Sequence, residues 1–406
     1  MAEIKKVVLR GGAVRYRFVV DVGYEPKKDK TTGEPVLDDN GQPVMKRRQL
    51  TVTKKTKTEA KTELARIENE RAAGTFIAPN EITVAQWLDQ WLEYKRRDVE
   101  ETTIRTYKLA LVHVYDRLGH IRLQELTEDQ VRDFIDEVVA TGRRKGGEPG
   151  TRLAVSTAEG ILTRLREALA RAVVRKLVPV NVAMHVRVAL ADKKIDKRER
   201  PALKPWTVSE VQTFIKGIEQ DRLYSPLLLS LMGLRPAEVC GQKWPFIDLQ
   251  VGVLEMTNTR TMIGNKDVLE KDAKTAAGER GLPLPSKVLE ALKKFKAQQA
   301  REKLAAGEAY TDSGYVVVDE LGVVLNTRQL REHTYRLMRR LGLRQVRLYD
   351  ARHSCLTYLA NNGVPDHILA RWAGHTSAAF TKKKYVHVEP EDMRDAATAW
   401  DAFHSG

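Results

Sequence analysis

Residues 349–385 read YDARHSCLTYLANNGVPDHILARWAGHTSAAFTKKKY, and they contain the parts of a phosphodiester-attacking site. Arg352 and His353 stand together, Gly374 precedes His375, and Tyr385 follows a run of three lysines. A second arginine, Arg235, lies upstream in Gly233-Leu234-Arg235-Pro236-Ala237-Glu238. A guanidinium is a planar fork that binds two phosphate oxygens at once and stays charged at every relevant pH. Two such forks can neutralise the charge that develops on a pentacoordinate phosphorus. The nucleophile would be the Tyr385 phenol, which at a free pKa of about 10 is almost wholly protonated at neutrality and needs nearby cations or a base to activate it. Attack gives a phosphotyrosine and frees a hydroxyl; the bond remains a phosphodiester, so resealing requires no ATP. Tyr358 is the competing tyrosine, but it falls among Leu356, Leu359 and Ala360 and reads as a core residue. No paired carboxylates or His/Cys cluster suggest a metal, and no P-loop pattern occurs, so no cofactor is expected.

The bulk composition fits such a substrate. The chain has 406 residues, 42% hydrophobic and 30% charged, with a formal net charge of +15. A soluble protein this basic is expected to meet a polyanion, nucleic acid first. No apolar run approaches the roughly 18 residues that span a bilayer, so no membrane partner is expected. Two cysteines, Cys240 and Cys355, make a disulfide framework improbable, and the reading is cytoplasmic, at the nucleoid.

Three domains are expected to hold these residues: 1–78, 79–190 and 206–406, with a linker at 191–205. In the first, Val14–Val22 alternates apolar residues with Arg15 and Arg17, the period of a half-buried strand with a cationic outer face. Ile4–Arg10 and Lys46–Thr53 supply two more strands, a turn-rich stretch between them forms an extended hairpin or insertion, and Thr58 caps a helix to about Ala73. The second domain is a helical bundle. Val84, Trp87, Leu88, Trp91 and Leu92 share a face, Thr127 caps a third helix, and Ser156 or Thr157 opens a fourth. The Gly-rich loop between the last two offers Arg143, Arg144 and Lys145 to phosphate. The linker ADKKIDKRERPALKP is charged, poor in large apolar residues and rich in lysine and arginine that could track a DNA backbone. The last domain is mainly helical with a small antiparallel sheet and includes a strand at Tyr315–Val318, an apolar helix Leu223–Met232 and helices from Ser286 and Thr327.

Taken together, Arg235, Lys274, Tyr349-x-x-Arg352, Gly374-His375 and Tyr385 resemble the signature of tyrosine recombinases, the phage-integrase family. Tyr385 lies ten residues after His375, the spacing the family uses. The resemblance implies the following roles. Lys274, on a β-hairpin, would be the general acid for the leaving oxygen, with Lys271 and Lys266 as rivals. His375 would donate to the phosphate. Arg235 and Arg352 would clamp it. His353 would be structural. Tyr349 departs from the pattern, since the family most often has histidine there, and a phenol is a poorer base near neutrality. The implied fold is multidomain and mainly α, with small antiparallel sheets: an N-terminal three-stranded sheet plus helix that binds arm-type DNA, a helical core-binding bundle, and a mixed α/β catalytic domain with a tail at 390–406. That tail would pack onto its own domain or onto a neighbouring protomer. The implied function is integration or excision of a phage or mobile element through 3′-phosphotyrosine intermediates, by a homotetramer on double-stranded core and arm sites, with a host DNA-bending factor and an excisionase as further partners. The rivals are a type IB topoisomerase-like relaxing enzyme and a DNA-binding protein without catalysis.

Overall fold

Alternating side chains at the N-terminus fold as their period dictates. In the computed structural model, which describes residues 3–9, 11–27, 29, 35–38, 41–200, 205–263, 267–272, 280–375 and 379, the chain divides into two compact units, 1–201 and 202–406. The first begins with β1 (Lys5–Val8), β2 (Val14–Pro26) and β3 (Met45–Lys54), antiparallel in that order. Tyr16, Phe18 and Val20 point to α1 (Lys57–Ala72), where Phe18 and Ile67 are each 1% exposed. Arg15, Arg17 and Val19 take the opposite face, and Arg17 donates to Thr53 Oγ1 at 3.3 Å. The cap of α1 is Thr56, not Thr58: Thr56 accepts from the Glu59 amide while the Glu59 carboxylate reaches back to Lys55 N. Thr58 lacks an acid placed to complete that exchange.

Residues 83–174 form the expected bundle, α2 (Val84–Lys95), α3 (Glu101–Leu118), α4 (Glu128–Thr141) and α5 (Val155–Val174). Thr83 with Gln86 and Thr127 with Gln130 make reciprocal capping boxes. The tryptophans are core: Trp87 and Trp91 are each 1% exposed, Trp87 donates to Ala168 O at 2.9 Å, and Trp91 stacks on Tyr107.

The stretch expected as a linker is largely helical. α6 (Leu190–Glu199) buries none of its own side chains and is held by charge. Arg152 pairs with Asp192 at 2.8 Å, and Asp196 takes both Arg200 and the amide of Val155. Asp196 thereby caps α5 from 41 residues away, which is why α5 starts at Val155 and not at a local Ser156 or Thr157. A sequence poor in apolar residues reads as linker; here ion pairs and a shared cap replace the missing apolar face.

The second unit contains α7 (Val208–Gly217), α8 (Tyr224–Leu231), α9 (Pro236–Gly241), β4 (Ile247–Asp248), β5 (Val253–Met256), β6 (Asn258–Ile263), β7 (Asp267–Asp272), β8 (Arg280–Pro283), α10 (Ser286–Ala306), α11 (Thr327–Arg340), α12 (Leu348–Asn361) and α13 (Asp366–Ala373). The strands form a sheet β4-β5-β8 and a separate hairpin β6-β7. Residues 315–318 do not make the expected strand. Tyr315 and Val318 form single bridges to Lys243 and Val324, and the apolar run is buried in the core instead. Among the described residues no helix is long and apolar enough to cross a membrane.

The start of α7 is stapled to the segment before α12. Arg344 makes a two-pronged pair with Glu210 at 2.6 and 2.9 Å and also donates to Pro205 O, while Trp206 Nε1 donates to Arg344 O. The hydrogen bonds from Arg344 hold the Glu210 carboxyl down at about 2, against an ordinary 4.5. A depressed carboxylate stabilises the fold above its unfolded pKa and loses that contribution as pH falls toward the folded one. Arg344→Ala should therefore destabilise the C-terminal unit by about 1 kcal/mol near neutrality, discounted for partial exposure. Thermal melts of variant and wild type should converge as pH drops from about 4.5 to 2.

Candidate active site

Three separate segments deliver the charged groups to one place. The N-cap and first turn of α9 supply Arg235 and Glu238, α12 supplies Arg352, and the end of α13 supplies His375. Pro236 at the first position of α9 presets the helix start. Glu238, three residues on, accepts from the Arg235 amide at 2.7 Å and from its Nη1 at 2.7 Å. The Gly-Leu-Arg-x-x-Glu spacing is thus a capping box that also pairs a buried acid with a guanidinium.

Arg352 is fully buried, 0% exposed. Its Nη1 donates to Gly233 O at 2.6 Å, and its Nη2 donates to Ala373 O and meets His375 Nε2 at 3.1 Å. A guanidinium can only donate, so in this arrangement His375 Nε2 accepts and its proton sits on Nδ1. Arg235 Nη2 donates to Gly374 O at 3.0 Å, so the carbonyls that end α13 are shared by both arginines. Gly374 closes that helix in a left-handed conformation, and the His375 amide returns to Ala370 O.

A third arginine belongs to the cluster, and the sequence reading passed over it. Arg280, the first residue of β8, has a side chain 0% exposed. It donates to both Glu238 oxygens at 3.2 Å and to Trp372 O at 2.9 Å. Its one sequence signal is parity: β8 buries Arg280 and Leu282 and exposes the residues between, so a charge stands on the inward side of a strand. Burial alone would push the Glu238 carboxyl up. The charge and hydrogen bonds of Arg280, then the charge and amide of Arg235, outweigh it and keep the carboxyl below its ordinary value. Arg235, Arg280 and Arg352 set against one carboxylate leave two net positive charges, a match for a phosphate moving from one negative charge to two.

Tyr349 lies half-buried in the first turn of α12 with its ring edge-on to His353, centroids 4.9 Å apart. Tyr358, expected in the core, is 50% exposed. Two residues from the buried Leu356 is just over half a helical turn, which carries Tyr358 to solvent. Lys274 and Tyr385 lie outside the described residues, as do the rival Lys266 and the tail from 390. Lys271 pairs through its backbone with Thr259 in the β6-β7 hairpin. In the bundle loop, Arg143 is spent on its own backbone, donating to Arg152 O and Gly146 O, and Arg144 pairs with Asp116. Lys145 is exposed. Among the described residues no group of His, Cys, Asp and Glu gathers to hold a metal ion.

With this geometry in hand, the comparisons with known proteins are specific. The model of the phage integrase family matches residues 206–392, and that of the phage integrase N-terminal SAM-like domain matches residues 83–139. An integrase of Streptomyces ambofaciens is 25% identical over 356 residues, 86% of each chain. A XerC-like tyrosine recombinase of Caldanaerobacter subterraneus is 30% identical over 199 residues, 46% of this chain and 51% of that one. The structure of the Tn1549 transposon integrase in complex with a circular intermediate DNA has the same fold, with a TM-score of 0.64 at 18% identity over 79% of this chain and 99% of that one. The chain belongs to the phage integrase family of tyrosine recombinases.

Gly233 gives this site a direct stability test. Its φ is +109°, and a Cβ there would lie 3.4 Å from Trp372 Nε1 and 3.7 Å from Cys355 Sγ. Gly233→Ala should cost about 1–3 kcal/mol through backbone strain, read as a lower melting temperature. It should also slow strand cleavage, because the carbonyl that holds Arg352 moves.

Proposed function

We propose that this chain is a site-specific DNA recombinase of integrase type that cuts and rejoins strands through a 3′-phosphotyrosine intermediate, integrating or excising a phage genome or mobile element. The observation that carries the reading is the convergence of Arg235, Arg352 and His375 around the buried Glu238, with Arg235 more than a hundred residues before the other two. Arg235 and Arg352 bind the scissile phosphate, and His375 donates to a non-bridging oxygen once its Nε2 carries the proton. Tyr385 attacks phosphorus, and Lys274 protonates the departing 5′-oxygen. Tyr349 serves as a hydrogen-bond donor beside the phosphate. The phosphodiester is exchanged and not hydrolysed, so the reverse attack by a 5′-hydroxyl reseals the strand.

Double-stranded DNA is the partner. The helical bundle with Lys145 grips the core site, and the open sheet face with Arg15 and Arg17 reads the arm site, as a β-sheet can in a major groove. A homotetramer would exchange strands between paired sites, with a host DNA-bending factor and an excisionase setting direction. The integrase of Tn1549 is known in complex with a circular intermediate DNA, which supports the DNA partner.

A nicked duplex carrying the element's own attachment core tests the chemistry. Wild type should become covalently joined to the 3′ side of the break, and Tyr385→Phe should bind the duplex without joining it. A covalent product that survives in Tyr385→Phe assigns the nucleophile elsewhere, and none with wild type favours DNA binding without catalysis. Efficient relaxation of supercoiled plasmid without paired sites would favour the topoisomerase reading. For the arm face, Arg17→Ala should weaken arm-site binding, lower the salt dependence by about one phosphate contact, and leave core-site binding unchanged. Titrating separate arm and core duplexes at several salt concentrations measures this.

A further inference from the structure

Phosphate binding accounts for Arg235 and Arg352 but not for Arg280. Its side chain is completely buried, and its fork is taken by both oxygens of Glu238 while its Nε is taken by Trp372 O. Arg352 is buried too, but its fork goes to backbone carbonyls and His375, whereas both fork nitrogens of Arg280 go to the carboxylate. What it does control is the carboxylate. Glu238 also bonds Arg235 at 2.7 Å and lies 3.9 Å from Arg352. A buried carboxylate that loses a partner is left with an uncompensated charge, which drives it onto the cations still in reach. Without Arg280, Glu238 would satisfy itself on Arg235 and Arg352, the two forks the phosphate needs.

We infer that Arg280 is a positioning residue of the strand-cleavage site: it occupies Glu238 from the interior so that Arg235 and Arg352 remain directed at the scissile phosphate. The assignment rests on the recombinase reading above. Four further observations support it. With Arg280 the cluster keeps two net positive charges; without it, one. Arg280 also bonds the carbonyl of Trp372, three residues before His375, so one side chain ties both the arginine pair and the histidine to a single carboxylate. It stands six residues after Lys274 in the chain, so the strand that receives the lysine segment starts from the same ion pair. Finally, Arg280 is the foremost group opposing the burial of Glu238, so its loss would let the carboxyl titrate nearer neutrality.

The test is single-turnover cleavage of the nicked core duplex by the full-length chain, followed across the neutral pH range. Arg280→Met should cleave about a hundredfold slower, as a misplaced constellation does, while core-duplex affinity stays within about twofold. Its profile should gain an acidic limb absent from wild type, where Glu238 now protonates. Arg280→Lys, which keeps the charge but not the fork, should be about tenfold slower with a profile close to that of wild type. A Met variant with wild-type rate and profile overturns the assignment, and so does a rate loss matched by lost binding with an unchanged profile, which marks a purely structural role. If the Met variant does not fold, the Lys variant decides alone, and a wild-type rate there overturns the assignment. No covalent product with wild type would overturn the recombinase reading itself, and this inference with it.

Discussion

A carboxylate without water is the constraint around which the C-terminal unit is built. Removing Glu238 from solvent costs several kcal/mol unless cations and donors replace the lost hydration. Three guanidinium groups and one backbone amide do so. They come from the turn before α9, from β8 and from α12, and the arginines in turn hold the carbonyls that end α13. These elements cannot shift independently without leaving a buried charge unpaired. The charged groups thus hold one another in place, which is the form of preorganisation that electrostatic catalysis rewards.

The surrounding packing keeps Glu238 buried and close to the hairpin. At Gly241, the last residue of α9, a Cβ would fall 2.8 Å from Asn258 O and from Thr259 Cα, so only glycine lets β6 lie directly against the helix that carries Glu238. The β6-β7 hairpin then leads toward the segment containing Lys274. Close backbone approach on one side and the ion-pair cluster on the other fix where that segment departs and where it returns at Arg280.

Many features written within four residues of one another were readable in the sequence, though the Thr56–Glu59 cap of α1 was not. The cap at Thr127 and the apolar face of α2 depend on local spacing alone. Arg235, Arg352 and His375 stand in short motifs that mark them as a set. What was not readable depends on distant partners. Asp196 caps α5 across 41 residues, and Arg280 meets Glu238 across 42. Without those partners α6 looks like linker and Arg280 like a surface charge. Residues 315–318 and Tyr358 fail for the converse reason: apolar neighbours suggest strand or core, but the backbone at 315–318 finds only single bridges and the helical phase turns Tyr358 outward.

The helical state of residues 190–199 shortens the last stretch of the first unit. Ten extended residues reach roughly 35 Å, but the same ten in an α-helix reach only about 15 Å. The chain thus stores about 20 Å of slack in α6, locked by Asp192 and Asp196. Drawing it out strips the N-terminal cap from α5, so unwinding α6 is opposed by the stability of the bundle itself.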